Sequence, residues 1–165
     1  MNIKKIIACG IIIAACYFAG IIYGEYKKRS YNELCGMLSL VIFIRSKISY
    51  TRTAIFDIMS EFQDNALEAC GFLKYFKSHT GESINLLWET ACSSLSLNDK
   101  ILTEIKLLGS SLGLLDTETQ LQRLAACESF LTNEKIEIEK LFTKRIKSYR
   151  SLGALGGAML AIILY

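Results

Sequence analysis

The chain opens and closes on stretches without charge, and between them apolar and polar residues recur at helical spacing. At the front, Ile6 to Tyr23 reads IIACGIIIAACYFAGIIY, and the uncharged run reaches Gly24. As a helix it covers about 28 Å, close to the roughly 30 Å hydrocarbon core of a bilayer. Lys4 and Lys5 precede it, and Lys27, Lys28 and Arg29 follow it. Such a run with basic flanks predicts a transmembrane anchor over residues 1–24. Tyr23 and Tyr26 suit the membrane interface, where aromatic side chains collect. At the far end, Ser151 to Tyr165 reads SLGALGGAMLAIILY and follows Lys144, Arg145, Lys147 and Arg150. This tail covers about 22 Å as a helix, short of a usual span unless basic side chains snorkel to extend it. Residues 151–165 are read as a second membrane segment, against a tail that packs on a partner or lies in the interface.

Residues 25–150 predict an all-α fold, an antiparallel bundle of about six helices. From Glu25 to Tyr50, the residues Tyr31, Leu34, Met37, Leu38, Val41, Ile42, Ile44 and Ile48 fall mostly at three- and four-residue steps, continuing the anchor helix. Thr53 is placed to cap a short helix from Ala54 to Phe62, which Asp64 and Asn65 interrupt. A third helix is expected from Ala66 to about Lys77, then a loop at Ser78–His79–Thr80–Gly81. The next, Glu82 to Leu95, buries Ile84, Leu87, Trp88, Ala91 and Leu95. Asn98 caps a fifth, with Ile101, Leu102, Ile105, Leu108 and Leu112 as its stripe and a left-handed Gly113 as its stop. Asp116 or Thr117 starts the last and longest helix, and Thr117–Glu118–Thr119–Gln120 has capping-box spacing. Its core-facing residues are Leu121, Leu124, Leu131, Ile138, Leu141, Phe142 and Tyr149, whereas Glu134, Glu137 and Glu139 read as a solvated face.

Composition sharpens this picture. Proline is absent, which suits helices. The net charge of +3 makes no case for nucleic acid. The cysteines, Cys9, Cys16, Cys35, Cys70, Cys92 and Cys127, form no CxxC pair, and His79 has no cysteine near it, so a zinc site is not expected. They read as buried free thiols of a reducing compartment. One competing reading concerns Ile13–Ala14–Ala15–Cys16, which looks like a lipoprotein cleavage box. It would make the chain an exported helical binding domain processed at Cys16.

No Walker loop, HExxH or GxSxG is present, so neither an enzyme nor a cofactor is expected. The informative motifs are glycines. Gly20 and Gly24 form a GxxxG at the end of the anchor, and Gly153 and Gly157 repeat it in the tail. Small residues at this spacing let membrane helices approach closely, and they also admit pairing of two copies. Gly109 and Gly113 share the spacing but adjoin a turn, where a helix stop and a close crossing are the expected roles.

Three features resemble the stage III sporulation protein AB family of endospore-forming bacteria. One is Leu108–Gly109–Ser110–Ser111–Leu112–Gly113–Leu114–Leu115–Asp116 followed by Gln120, similar to that family's glycine–aspartate–glutamine corner. Another is Tyr149 to Gly157 leading into an apolar end, and the third is the overall plan. The chain departs where the family often has Thr-Pro, with Thr53–Ala54 instead. The resemblance implies a domain similar to the cytoplasmic domain of type II secretion F proteins. It also implies a platform role in the mother cell–forespore channel complex. The partners it implies are the ATPase stage III sporulation protein AA and other membrane subunits. The basic clusters flanking the middle domain favour its placement in the cytoplasm.

Overall fold

The computed structural model describes residues 3–51, 54–78, 83–113 and 116–164, with side chains for 22–50, 54–78, 83–113 and 116–141. Among the described residues there are seven helices and no strand. They are α1 (Ile3–Thr51), α2 (Ile55–Glu61), α3 (Asn65–Ala69), α4 (Phe72–Ser78), α5 (Ile84–Cys92), α6 (Asp99–Ser111) and α7 (Thr117–Leu164). The all-α expectation holds. The chain divides into two compact units, residues 29–136 and residues 1–28 with 137–165.

The unit 29–136 is the helical bundle. Its part of α1 buries Leu34, Met37, Val41, Ile44 and Ile48, alternating steps of three and four that keep one face turned inward. Three residues of the expected stripe sit elsewhere: Tyr31 and Leu38 are half-buried and Ile42 is 45% exposed, while Leu40 is fully buried. Leu40 lies one step beside the main stripe, so the buried face of α1 is wider than a single seam.

The short helices owe their limits to local chemistry. Thr53 lies outside the described residues; Ala54 occupies the N-cap position of α2 with no side-chain cap. Asp64 is a cap as well as an interruption: its Oδ1 accepts from the Ala66 and Leu67 amides, both at 2.9 Å. The helix expected over 66–77 is in fact two. Gly71 stands at φ +95°, a left-handed conformation that an α-helix cannot include, and it separates α3 from α4. Likewise α5 stops at Cys92, earlier than expected. The Ser93 and Ser94 hydroxyls donate to the Thr90 and Ala91 carbonyls, at 2.6 and 2.7 Å, satisfying acceptors the helix end leaves open. Asn98 caps α6 as expected, accepting from the Ile101 amide at 2.8 Å.

The core centres on Trp88, which is fully buried. Phe72 meets it edge-on at 5.5 Å and 88°, and Phe76 at 6.1 Å and 70°. These are the arrangements that ring quadrupoles prefer. A buried carboxylate, Glu33 of α1, ties the segment after α5 to the core. Its Oε1 accepts from Arg29 Nε at 2.8 Å and its Oε2 from the Ser96 amide at 2.5 Å. A buried charge is tolerable only with such partners. Glu134 departs from the solvated face expected of it: it is 8% exposed and pairs with Lys100 of α6, which ties α7 to α6 by charge, while Leu124 and Leu131 of α7 are buried in the core. Arg45 of α1 reaches Glu128 of α7 at 2.6 Å.

In the other unit, residues 22–28 are exposed along α1, Ile22 at 69%. Lys27 Nζ lies 5.6 Å from the centre of the Tyr23 ring, a cation–π contact. Among the described residues no helix is long and apolar enough to cross a membrane. The side chains of 1–21 and 142–165, where both spans are expected, lie outside that description.

Candidate functional site

The residues singled out at 109–120 fall together at the end of α6, the turn after it and the start of α7. Gly109 is where α5 crosses α6. A Cβ built there would stand 1.9 Å from Trp88 Cδ1 and 2.4 Å from Cγ, distances that real atoms do not tolerate. The indole therefore lies directly against the α6 backbone. Its Nε1 donates to the Ile105 carbonyl at 2.9 Å. A carbonyl oxygen has two lone pairs and can accept this bond beside its helical one. A buried indole N–H needs such an acceptor, and a glycine one turn further on clears the way to it.

Four residues later the helix has ended. Leu112 is the C-cap, its amide donating to the Gly109 carbonyl at 3.2 Å. Gly113 follows at φ +80°. Here space is not the constraint: the nearest atom to an added Cβ is Ile55 Cδ1, at an ordinary 3.7 Å. The sign of φ alone disfavours a side chain. Leu114 and Leu115 lie outside the described residues. Asp116 then opens α7, its Oδ2 accepting from the Thr119 amide at 3.0 Å. That hydrogen bond, with a second from the Thr119 side chain, holds the Asp116 carboxyl below the usual carboxylate range.

With Asp116 as the cap, the capping-box frame moves by one residue. Thr119, not Gln120, is the third residue of the helix, so Gln120 does not reach back to a Thr117 cap. Gln120 is instead 7% exposed, and its Nε2 has no hydrogen-bond partner.

The other glycines singled out in the sequence, Gly20, Gly24, Gly153 and Gly157, belong to the terminal unit. A Cβ added at Gly24 meets nothing within 4 Å. Gly20 lies in α1 and Gly153 and Gly157 in α7, and what these three meet lies outside the described side chains. His79, Thr80 and Gly81 also lie outside the described residues.

On the outer side of the same crossing, an open groove of about 550 Å³ runs between α5 and α6. Leu86 and Leu107, 57% and 48% exposed, line it with Glu89, Lys106 and Asn85. Asn85 Oδ1 is buried there without a hydrogen-bond partner. Among the described residues no group of His, Cys, Asp and Glu is arranged to hold a metal ion. Burial pushes the Cys92 and Cys127 thiols up to about 12, so neither supplies a thiolate at neutral pH.

A family model for stage III sporulation protein AB matches residues 5–165, a range that takes in this bundle and both uncharged ends. The chain belongs to the stage III sporulation protein AB family. Membership gives it a role in sporulation. No curated relative and no solved structure matches the chain.

Two residues of this family member carry contacts that the sequence reading passed over. Gly36, in the middle of α1, is approached so closely that an added Cβ would lie 2.6 Å from Asp64 Oδ1 and 2.9 Å from Leu67 Cγ. Its signal was available, since a glycine inside a helical stripe costs stability unless something packs on it. Glu33 is the other. An acid beside Leu34 on the apolar stripe was the only local sign that it turns inward.

Proposed function

We propose that this chain is a non-enzymatic platform subunit of the mother cell–forespore channel complex needed for endospore formation. Residues 1–24 anchor it in the mother-cell or outer forespore membrane, and residues 151–165 form a second membrane segment. The bundle within residues 25–150 faces the cytoplasm and docks the ATPase stage III sporulation protein AA, beside other membrane subunits. The observation that carries this reading is the family match over residues 5–165, which takes in both uncharged ends as well as the bundle. The exposed collar of Ile22, Tyr23 and Tyr26, followed by Lys27 and Lys28, supports an interface at the end of the anchor. The cationic clusters at 27–29 and 144–150 support a cytoplasmic bundle, since both flank it and outnumber Lys4 and Lys5.

Co-purification tests the assignment. The tagged full-length chain, drawn from membranes of sporulating cells, is expected to retain the ATPase. Recovery of other membrane subunits without it would overturn the docking role. Topology has its own test, in a background without the native cysteines. A cysteine at the exposed Asn133 is expected to resist a membrane-impermeant maleimide in intact cells. Labelling there would place the bundle outside and rule out contact with a cytoplasmic ATPase. The mass of the mature protein separates this reading from the exported one, in which processing at Cys16 removes the first residues.

A further inference from the structure

The groove between α5 and α6 has a ridge beside it. Thr103, Leu107 and Ser110, at steps of four and three along α6, are all exposed and all line the groove. Ridges at such spacing pack into grooves of a facing helix pair. Leu107 stands at the middle of the ridge, and Leu86 lines the same groove from α5. Single exposed leucines are ordinary; two of them on neighbouring helices, sharing one groove, make a patch. The charges on the patch are one of each sign, Glu89 on α5 and Lys106 on α6.

We infer that the α5–α6 face is a contact between two copies of this chain. In a two-fold contact each surface meets itself, with residue i against j and j against i. The α6 ridge of one copy then seats in the α5–α6 groove of the other, and the reverse. Lys106, beside the ridge on α6, is carried toward the α5 side of the opposing groove, where Glu89 of the other copy stands. The pairing is of opposite charges twice over, and the face has no net charge to repel its twin. Size sets the strength. α6 is about 20 Å long as a helix, and a two-helix face of that length offers roughly 400 Å² per copy, less than a stable interface in free solution needs. Such a contact holds where copies are confined together, as in the plane of a membrane. On this point it rests on the anchor proposed above.

The test uses the full-length chain in host membranes, with its native cysteines replaced and Thr103→Cys introduced. A bismaleimide is expected to link two copies. Leu107→Glu, or Lys106→Glu alone, should lower the linked fraction by about tenfold, the change that 1.4 kcal/mol produces. Glu89→Lys combined with Lys106→Glu should restore it, which a variant that merely unfolds cannot do. Absence of a linked dimer overturns the inference. So does a dimer that forms equally well through Asn133→Cys and ignores both substitutions. A link from position 103 to a different protein in place of a second copy overturns it too. If the chain is missing from the membrane fraction, the anchor reading has failed, and the same cross-linking on concentrated purified chain decides the contact separately.

Discussion

Gly109 and Gly113 share a spacing that resembles a pairing motif, yet they are glycines for unrelated reasons. At Gly109 the backbone is ordinary helix and the obstacle is outside: the Trp88 indole occupies the space a Cβ would need. At Gly113 there is room for a side chain, and the obstacle is its own backbone at φ +80°. The first is a demand of packing between residues far apart in sequence. The second is a demand of chain direction, met within a few bonds. Spacing alone could not tell them apart, because both place a small residue once per helical turn.

Substitutions can separate the two demands. Trp88→Ala should have the largest effect, about 3–5 kcal/mol, since it empties the centre of the core and leaves Phe72 and Phe76 without their partner. Denaturant unfolding of the purified chain measures it. Gly109→Ala should cost about 1–3 kcal/mol by overpacking against the indole. Pairing it with Trp88→Leu sharpens the point: if the clash is with Trp88, the double mutant is more stable than the sum of single losses implies. Strict additivity would show that Gly109 is not required for the crossing.

At the corner, Gly113→Val should cost about 1–2 kcal/mol through the left-handed conformation alone. Gly113→Asn should cost much less, since asparagine tolerates that region. Equal melting temperatures for valine and asparagine variants would break the distinction from Gly109.

The smallest effect belongs to Asp116, which is exposed, and it shows in pH dependence. Its folded carboxyl is held below the ordinary value by the Thr119 amide. The contribution is therefore complete above the unfolded carboxylate range and is lost as pH falls through the lower folded value. Asp116→Asn keeps a capping oxygen but cannot titrate. It should match the parent near neutral pH and show a shallower loss of stability in acid, read by thermal melts across that range. An unchanged acid limb would mean that the cap carbonyl, not the carboxylate, does the holding.

Much of the bundle was legible because helix limits depend on neighbours in sequence. Asn98 reaches an amide three residues on, Asp116 likewise, and Gly113 needs only its own φ. The same locality explains two errors. Gly71 could have continued a helix or stopped it, and only its left-handed backbone, joined to the burial of Phe72 and Leu73 on one side and Leu67 on the other, made it a stop. The capping-box frame slipped because Asp116 and Thr117 are both good caps, adjacent in sequence, and one residue of offset changes which side chain is third in the helix.

What the sequence determined by itself is the helical class, the uncharged ends with basic flanks, most starts and stops, and the motifs that resemble the sporulation family. These depend on hydrogen bonds spanning three or four residues and on apolar periodicity, both of which are local. What only the tertiary structure decided is which residues meet. Trp88 finds its acceptor seventeen positions away at Ile105, and Glu33 finds the Ser96 amide sixty-three positions away. Leu40 rather than Ile42 enters the core, and Gly36 yields space to Asp64. Each of these follows from how helices cross, and a crossing is fixed by shapes on two surfaces at once, of which a sequence read locally shows only one.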